Sequence, residues 1–188
     1  GDDVPRVNLP LDFPRPAVQD FSGRKIGTFL TPREAEPLHQ LASQLDGTLY
    51  MAITGALNLL LAKLSRSEDI VLGTASAGRR HADLEPVIGM FINTLVLRTQ
   101  PRASITLRRY MEQVKDTVLG AFENQDYPFE ELVEEIGFER DMSLNPVFDD
   151  IWTLQNIVNR PAPSGSQTGQ RREAVQQPVQ PQQVMDWN

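Results

Sequence analysis

Apolar residues recur every three or four positions through the first helix-like stretch of the chain, which is the spacing of an amphipathic helix. Thr31, Pro32 and Glu34 stand just before this stretch in the order of a capping box, so the helix is expected to begin after Thr31. Gly47 marks its approximate end. The repeating positions are Leu38, Leu41, Ala42 and Leu45.

Three further helices are predicted by the same pattern. Residues 51–64 are apolar on most sides, which favours a centrally buried helix with Thr48 as its N-cap, and Leu60→Asp is expected to unfold the domain. A long helix lies in the second half of the chain, and a shorter one follows Pro128 and ends at Gly137. The apolar faces of these last two helices consist of Leu107, Tyr110, Met111, Val114, Val118 and Phe122, and of Phe129, Leu132, Val133 and Ile136.

Segments rich in β-branched and aromatic residues alternate with these helices. Strands are expected at 25–30, 70–72, 91–97 and 147–154, and the small residues 73–78 are expected to form a tight connection. Strands that alternate with helices predict a layered α/β (α+β) architecture.

Composition divides the chain into three zones. Residues 1–24 contain four prolines, which favour an extended lead-in. Residues 25–156 hold the alternating pattern and are expected to fold. Residues 157–188 contain seven Gln and four Pro, too little apolar surface to offset the entropy of ordering, so we predict a disordered Gln/Pro-rich tail.

Charge and residue usage narrow the classes of function. The formal net charge is −7 and the pI is near 4.9, so neither a nucleic acid nor an anionic membrane is expected as a partner. The absence of cysteine excludes disulfides and thiolate chemistry. No apolar run reaches 18 residues and the start at Gly1 does not resemble a signal peptide, so a cytoplasmic piece of a longer polypeptide is expected.

Familiar catalytic patterns do not occur in the chain. It contains no phosphate-binding loop, dinucleotide-binding glycine pattern, zinc-ligand spacing or serine nucleophile elbow. We therefore predict no catalytic residue and no metal ligand within these 188 residues.

Three segments, in this order, resemble the last three signature motifs of the condensation domains of nonribosomal peptide synthetases. Shorter stretches at 9–16, 68–74 and 78–81 also look like family segments, and the resemblance covers roughly 8–156. The three motif segments are IGMFINTLVLR (88–98), NQDYPFE (124–130) and RDMSLNP (140–146).

The chain also departs from the family pattern. The family's His-His-x-x-x-Asp-Gly motif belongs to the first half of the domain, whereas the only histidines here are His39 and His81, outside any such motif. Leu144 stands where the family usually has arginine, and the Gln/Pro-rich segment replaces the family's last strands. The resemblance therefore implies an incomplete, C-terminal lobe of a two-lobed fold like that of chloramphenicol acetyltransferase.

The resemblance implies a function as well. Condensation domains form an amide bond between two carrier-bound thioesters, whose phosphopantetheine arms enter a tunnel between the lobes. The expected partners are the N-terminal lobe, peptidyl and aminoacyl carrier proteins, and an adenylation domain; no cofactor is expected to bind the chain directly. A positioned acid–base group is typically worth about 10²–10⁴-fold in rate. Because this chain lacks the motif histidine, it is expected to be inactive alone. The alternatives are a non-catalytic carrier-docking module and a coenzyme A-dependent acyltransferase of the same fold.

Candidate tunnel residues lie in the first motif segment. They are Phe91, Asn93 and Thr94; the amide of Asn93 would bond a substrate carbonyl or, alternatively, is a buried group satisfied by neighbouring backbone. The other motif residues are expected to be structural, with Asp126 capping the helix after Pro128. They are Gly89, Arg98, Gln125, Asp126, Pro128, Phe129, Glu130, Arg140, Asp141 and Asn145.

Two charged spots complete the candidate residues. Arg140 and Asp141 are expected to form a local ion pair. His81 beside Arg79 and Arg80 would meet a pantetheine phosphate or an acidic carrier protein, or would belong to a solvated loop.

Overall fold

The computed structural model describes residues 4–16, 18, 22–137 and 144–154, all within the compact unit Gly1–Gln155. The secondary structure of these residues is mixed helix and strand. In chain order it comprises α1 (Pro32–Gln44), α2 (Leu49–Ser65), β1 (Ile70–Ser76), a 3-10 helix (Ala82–Leu84), β2 (Asn93–Thr99), α3 (Leu107–Glu123) and α4 (Phe129–Ile136).

Three of the predicted helix ends are confirmed by the hydrogen bonds or backbone angles around them. The amide of Glu34 donates to Thr31 Oγ1 over 3.3 Å, and Thr31 N donates to Glu34 Oε2 over 2.8 Å, which completes the capping box of α1. Thr48 caps α2 by accepting from the amide of Met51. Gly137, with φ of 67°, ends α4 in the left-handed conformation that favours glycine.

Strands β1 and β2 pair antiparallel, from Ile70 opposite Thr99 to Ser76 opposite Asn93. The prediction of a tight connection at 73–78 is wrong for its first part, because strand β1 continues to Ser76. Gly73 permits this continuation since the ring of Phe148 occupies the space that a Cβ atom there would need.

Two predicted strands do not form. Residues 25–30 have no strand partner among the described residues, and Ile26 and Phe29 are 87% and 95% exposed. The segment 147–154 makes only one parallel bridge, between Ile151 and Gly73. Apolar alternation favours a strand, but a strand exists only where a neighbour satisfies successive backbone groups.

The core lies where α2 and α3 pack on the two-stranded sheet. Its largest cluster joins the helices to Leu97 of β2, and the predicted buried face of α3 is confirmed except at its exposed first residue, Leu107. A second cluster includes Val7, so the proline-rich N-terminal segment contributes to the core. The buried members of the first cluster are Met51, Leu97, Tyr110, Met111, Val114 and Val118.

The predicted central burial of α2 is only half right. Leu61 and Ala52 are buried, whereas Leu60 is 53% exposed. The prediction that Leu60→Asp unfolds the domain assumed a buried Leu60, which is wrong; the buried leucine is Leu61. Helix α2 packs against α1, α3 and β1, and only the residues facing these elements are buried.

No single helix in the described ranges has the length and apolarity needed to cross a membrane. Helices α1 and α2 meet that test only when taken together, and they are bent by 107° at their junction.

Candidate functional site

The end of the β1–β2 pair, where Ser76 faces Asn93, brings two of the three motif segments together. Asn93 Nδ2 donates to the carbonyl oxygens of Gln125 and Tyr127 over 2.8 and 2.7 Å. Asn93 Oδ1 accepts from the amides of Thr94 and Phe129 over 2.9 and 3.3 Å. The side-chain amide of Asn93 therefore uses both its protons and its oxygen in bonds to backbone groups. This agrees with the alternative that Asn93 is a polar group satisfied by neighbouring backbone.

Ser76, at the end of β1, provides a second link to the segment 124–130. Its Oγ donates to Gln125 Oε1 over 2.5 Å and accepts from the amide of Gly78 over 3.2 Å. Gln125 Nε2 in turn donates to the carbonyl of Phe122 over 2.7 Å. Sequence reasoning missed Ser76; its signal was a hydroxyl at the end of a buried apolar strand.

Asp126 does not cap α4, contrary to the prediction. The N-cap position belongs to Pro128, which has no side-chain donor or acceptor, and Asp126 lies two residues too early. Its Oδ2 instead lies 2.6 Å from Arg80 Nη1 in an exposed ion pair, a type that contributes only about 0–1 kcal/mol. Asn93 in strand β2 instead caps α4 in part, because its Oδ1 accepts a hydrogen bond from the Phe129 amide.

The loop between the two strands is organised around the guanidinium of Arg79. Its Nη1 donates to the carbonyls of Leu84 and Val87, the second over 2.9 Å, and its Nη2 donates to that of Gly89 over 3.2 Å. The same group stacks on the ring of Phe91, 4.4 Å from the centroid. Phe91 and Gly89 thus belong to one folded loop that precedes β2.

His81 lies in this loop with its side chain exposed. Its Nδ1 is 3.2 Å from Asp83 Oδ2 on the protein surface. Since Arg79 and Arg80 are both engaged within the chain, the contacts here agree with the solvated-loop alternative.

Arg98 ties the other end of β2 to the residue before β1. Its Nε donates to Asp69 Oδ1 over 3.0 Å and its Nη2 to Asp69 Oδ2 over 2.7 Å. These bonds from Arg98 hold the pKa of the Asp69 carboxyl below its ordinary value.

The remaining motif residues lie near α4 and the N-terminal segment. Phe129 packs its ring on Phe148 at a centroid distance of 5.5 Å, and Glu130 is exposed in the first turn of α4. The carbonyl of Asn145 accepts from Arg6 Nη2 over 3.0 Å. Thr94 is half-buried opposite Ala75, whereas Arg140 and Asp141 lie outside the described residues.

A polar cluster that the sequence analysis missed connects α2 to β1. Tyr50 Oη donates to Thr74 Oγ1 over 2.7 Å, and Trp152 Nε1 donates to Thr54 Oγ1 over 3.1 Å. The rings of Tyr50 and Trp152 stack with centroids 6.1 Å apart. Burial raises the pKa of Tyr50 above its ordinary value.

A second cluster lies in the core between α2, β2 and α3. Tyr110 Oη donates to the carbonyl of Gly55 over 3.2 Å, and Asn58 Nδ2 donates to Thr99 Oγ1 over 2.8 Å. Burial raises the pKa of Tyr110 to about 12, so its phenol is neutral at ordinary pH.

The polar side chains of this arrangement hold backbone segments in place. Within the described ranges no group of three or more His, Asp or Glu side chains is placed to hold a metal ion. Asn93, Ser76 and Gln125 fix backbone segments against one another.

A model of the condensation-domain family matches residues 2–187 of the sequence. The chain belongs to the condensation-domain family. Tyrocidine synthase 3 of Brevibacillus parabrevis is 48% identical over 156 residues, which are 83% of this chain and 2% of that protein. The chain therefore spans a small part of the synthetases that it matches.

Solved structures give the same assignment. The four-domain nonribosomal peptide synthetase holo-AB3403, bound to AMP and glycine, is 32% identical with a TM-score of 0.72; the match covers 74% of this chain and 11% of that one. The X-domain in complex with OxyB, from teicoplanin biosynthesis, is 28% identical with a TM-score of 0.65, over 74% and 31%. The fold is that of part of a chloramphenicol acetyltransferase-like condensation domain, as expected, and its assignment to the C-terminal lobe stays a prediction.

The family match extends further than the resemblance seen in the sequence. That resemblance covered roughly 8–156, whereas the family model also includes most of 157–188. This segment lies outside the described residues, and its disorder stays a prediction.

Proposed function

We propose that the chain forms part of a condensation domain that makes amide bonds between carrier-bound aminoacyl or peptidyl thioesters. The main structural support is that Asn93 joins two family motif segments, 88–98 and 124–130, at one end of the strand pair. Together with the family assignment, this supports a tunnel wall at that end of the strand pair, formed by residues of the two motif segments.

In the proposed reaction the acceptor amine attacks the carbonyl of the donor thioester. The C–N bond forms, the C–S bond breaks, and the amine proton is passed to the departing thiolate of the donor phosphopantetheine arm. The 188 residues do not contain the His-His-x-x-x-Asp-Gly motif, so we assign proton handling to the N-terminal lobe. The part of this chain is to shape the tunnel and dock carrier proteins.

Reconstitution tests this proposal. The chain is combined with the N-terminal lobe of the matching tyrocidine synthase 3 condensation domain, and dipeptidyl transfer between loaded carriers is followed by mass spectrometry. We expect product with the intact pair and none when the motif histidine of the N-terminal lobe is replaced by alanine. A stable complex of the two lobes that yields no product, while the complete relative is active, would refute the catalytic proposal.

A second candidate is a non-catalytic docking module. It is favoured by the absence of the motif from this chain and by the likeness to an X-domain that has been solved in complex with another protein, OxyB. Saturable binding of carrier proteins without transfer in any pairing would select this candidate. Supplying acyl-coenzyme A in place of the donor carrier, in a parallel reaction, tests the third possibility of a coenzyme A-dependent acyltransferase.

A further inference from the structure

A groove of about 510 Å³ lies at the opposite end of the strand pair from Asn93 and Ser76. The two ends are about 20 Å apart, since each strand has seven residues and rises roughly 3.3 Å per residue. The groove is bounded by the C-terminal half of α2, the loop 101–105 and the first turn of α3. It therefore shares no residue with the motif cluster.

The floor of the groove is apolar. It is formed by side chains from both helices and from the loop between β2 and α3, and Tyr110 closes its base with a buried ring. Its volume lies within the range of about 300–1,000 Å³ that is usual for small-molecule sites. The apolar floor residues are Leu59, Ala62, Ile105 and Leu107.

The rim of the groove is basic, although the chain as a whole carries a net charge of −7. Lys63, Arg66 and Arg102 line it. Lys63 and Arg66 make no hydrogen bond or ion pair with any other residue in the part of the chain that the structure describes, whereas Arg102 Nη2 donates to Gln100 Oε1 over 2.7 Å. Two cations at the mouth thus have no carboxylate partner there.

The nearby carboxylates bond groups other than Lys63 and Arg66. Glu68, which also lines the groove, accepts from the amide of Ala103 over 3.1 Å and so joins the turn after α2 to the loop 101–105. Asp69 is held by Arg98 and Gln100. The local carboxylates shape the rim, and the unpaired cations face solvent beside an apolar floor.

We propose that this groove binds a small amphipathic carboxylate. The carboxylate lies between Arg66 and Lys63, since a guanidinium pairs with a carboxylate through two parallel hydrogen bonds. The apolar chain of the ligand lies along Leu59, Ala62 and Ile105. Charge complementarity selects an anionic head group, and the apolar floor selects a hydrocarbon body.

Decanoate, below the concentration at which it forms micelles, is the probe for this proposal. It is titrated into the full 188-residue chain, and the methyl NMR signals of Leu59 and Ile105 are followed. Decanol and decyltrimethylammonium have the same apolar chain with a neutral or cationic head group. We expect decanoate to shift these methyl signals saturably and to bind at least about tenfold more tightly than either.

Substitutions locate the head group. Lys63→Ala with Arg66→Ala is expected to weaken decanoate binding by about tenfold or more, whereas Arg33→Ala on exposed α1 is expected to leave it unchanged. Equal responses to the three head groups, or unchanged binding in the double variant, would overturn the proposal. Shifts of the same methyl signals with protein concentration alone would assign the groove to a second copy of the chain and would overturn it too.

Discussion

At the scale of single residues, the polar side chains in this chain mainly satisfy backbone groups that the helices and strands leave unpaired. Asn93 engages four backbone groups in the two segments 88–98 and 124–130, and Ser76 bridges a strand and a loop. An intramolecular hydrogen bond contributes a net of about 0.5–1.5 kcal/mol, so these side chains stabilise the fold through the groups they pair.

Replacing Asn93 tests this role. Asn93→Ala leaves the carbonyls of Gln125 and Tyr127 without their donor, and we expect it to lower the free energy of unfolding by about 2 kcal/mol, measured by urea denaturation. The control is Asn124→Ala, which removes one bond of an exposed side chain and should cost about 0.5 kcal/mol or less. Equal losses in the two variants would contradict the bridging role of Asn93.

Tyr110 predicts a dependence of stability on alkaline pH. Burial raises its pKa to about 12 in the folded chain, against an ordinary value of 10.0. Folding therefore favours the neutral phenol, so this contribution to stability is complete below pH 10 and is lost as the pH rises toward 12. One titrating group changes the free energy of unfolding by at most about 1.4 kcal/mol per pH unit.

The variant Tyr110→Phe isolates this effect. Its free energy of unfolding should fall less steeply than that of the unsubstituted chain between about pH 9 and about pH 11.5, because phenylalanine has no proton to lose. Urea denaturation across this range measures the difference in slope. Parallel profiles for the two proteins would show that Tyr110 does not titrate in this way.

At the scale of elements, the two-stranded sheet depends on contacts that its own sequence does not display. Gly73 faces the ring of Phe148, and its N–H and C=O groups bond to Asp150 and Trp152. The segment around 150 thus continues the sheet at one position, where the absence of a side chain on Gly73 makes room for an aromatic ring.

A pair of glycine substitutions tests this packing. Gly73→Ala forces a methyl group into the Phe148 ring and should destabilise the fold by about 1–3 kcal/mol. Gly120→Ala in α3 meets open space and should stabilise it by about 0.5–1 kcal/mol through helix propensity. Thermal and urea unfolding of both variants measure the signs, and a stabilising Gly73→Ala would contradict the close approach of the ring.

At the scale of the whole molecule, large apolar side chains remain on the surface. Those of Ile26, Phe29, Ile88 and Met90 are almost fully exposed, on segments without a helix or strand. Large apolar side chains left exposed to solvent offer a surface for interaction or association. We relate it to the proposed role as one lobe of a larger domain.

The isolated chain should therefore bind the dye 8-anilinonaphthalene-1-sulfonate. Ile26→Ser with Phe29→Ser should reduce the dye fluorescence without changing the far-ultraviolet circular dichroism, because neither residue lies in a helix or strand. Adding the N-terminal lobe used for reconstitution should reduce the fluorescence further. Unchanged fluorescence in the double variant would exclude this segment as the exposed apolar surface.

The local signals of the chain were sufficient for its helices and its family. The capping box of α1, the N-cap Thr48 and the helix-ending Gly137 act within a few residues, and apolar periodicity identified the buried face of α3. The ordered motif segments indicated the condensation-domain family, which the comparisons confirm.

Tertiary structure alone decided which apolar segments pair and which polar groups meet. Residues 25–30 have strand-like composition but no strand partner among the described residues, whereas Asn93 reaches partners more than thirty residues away. Likewise, Leu61 rather than Leu60 is buried because the packing partners of α2 cover one side. The physical reason is that propensity and capping depend on adjacent residues, whereas sheet pairing, burial and hydrogen-bond partners depend on which distant segments the folded chain brings together.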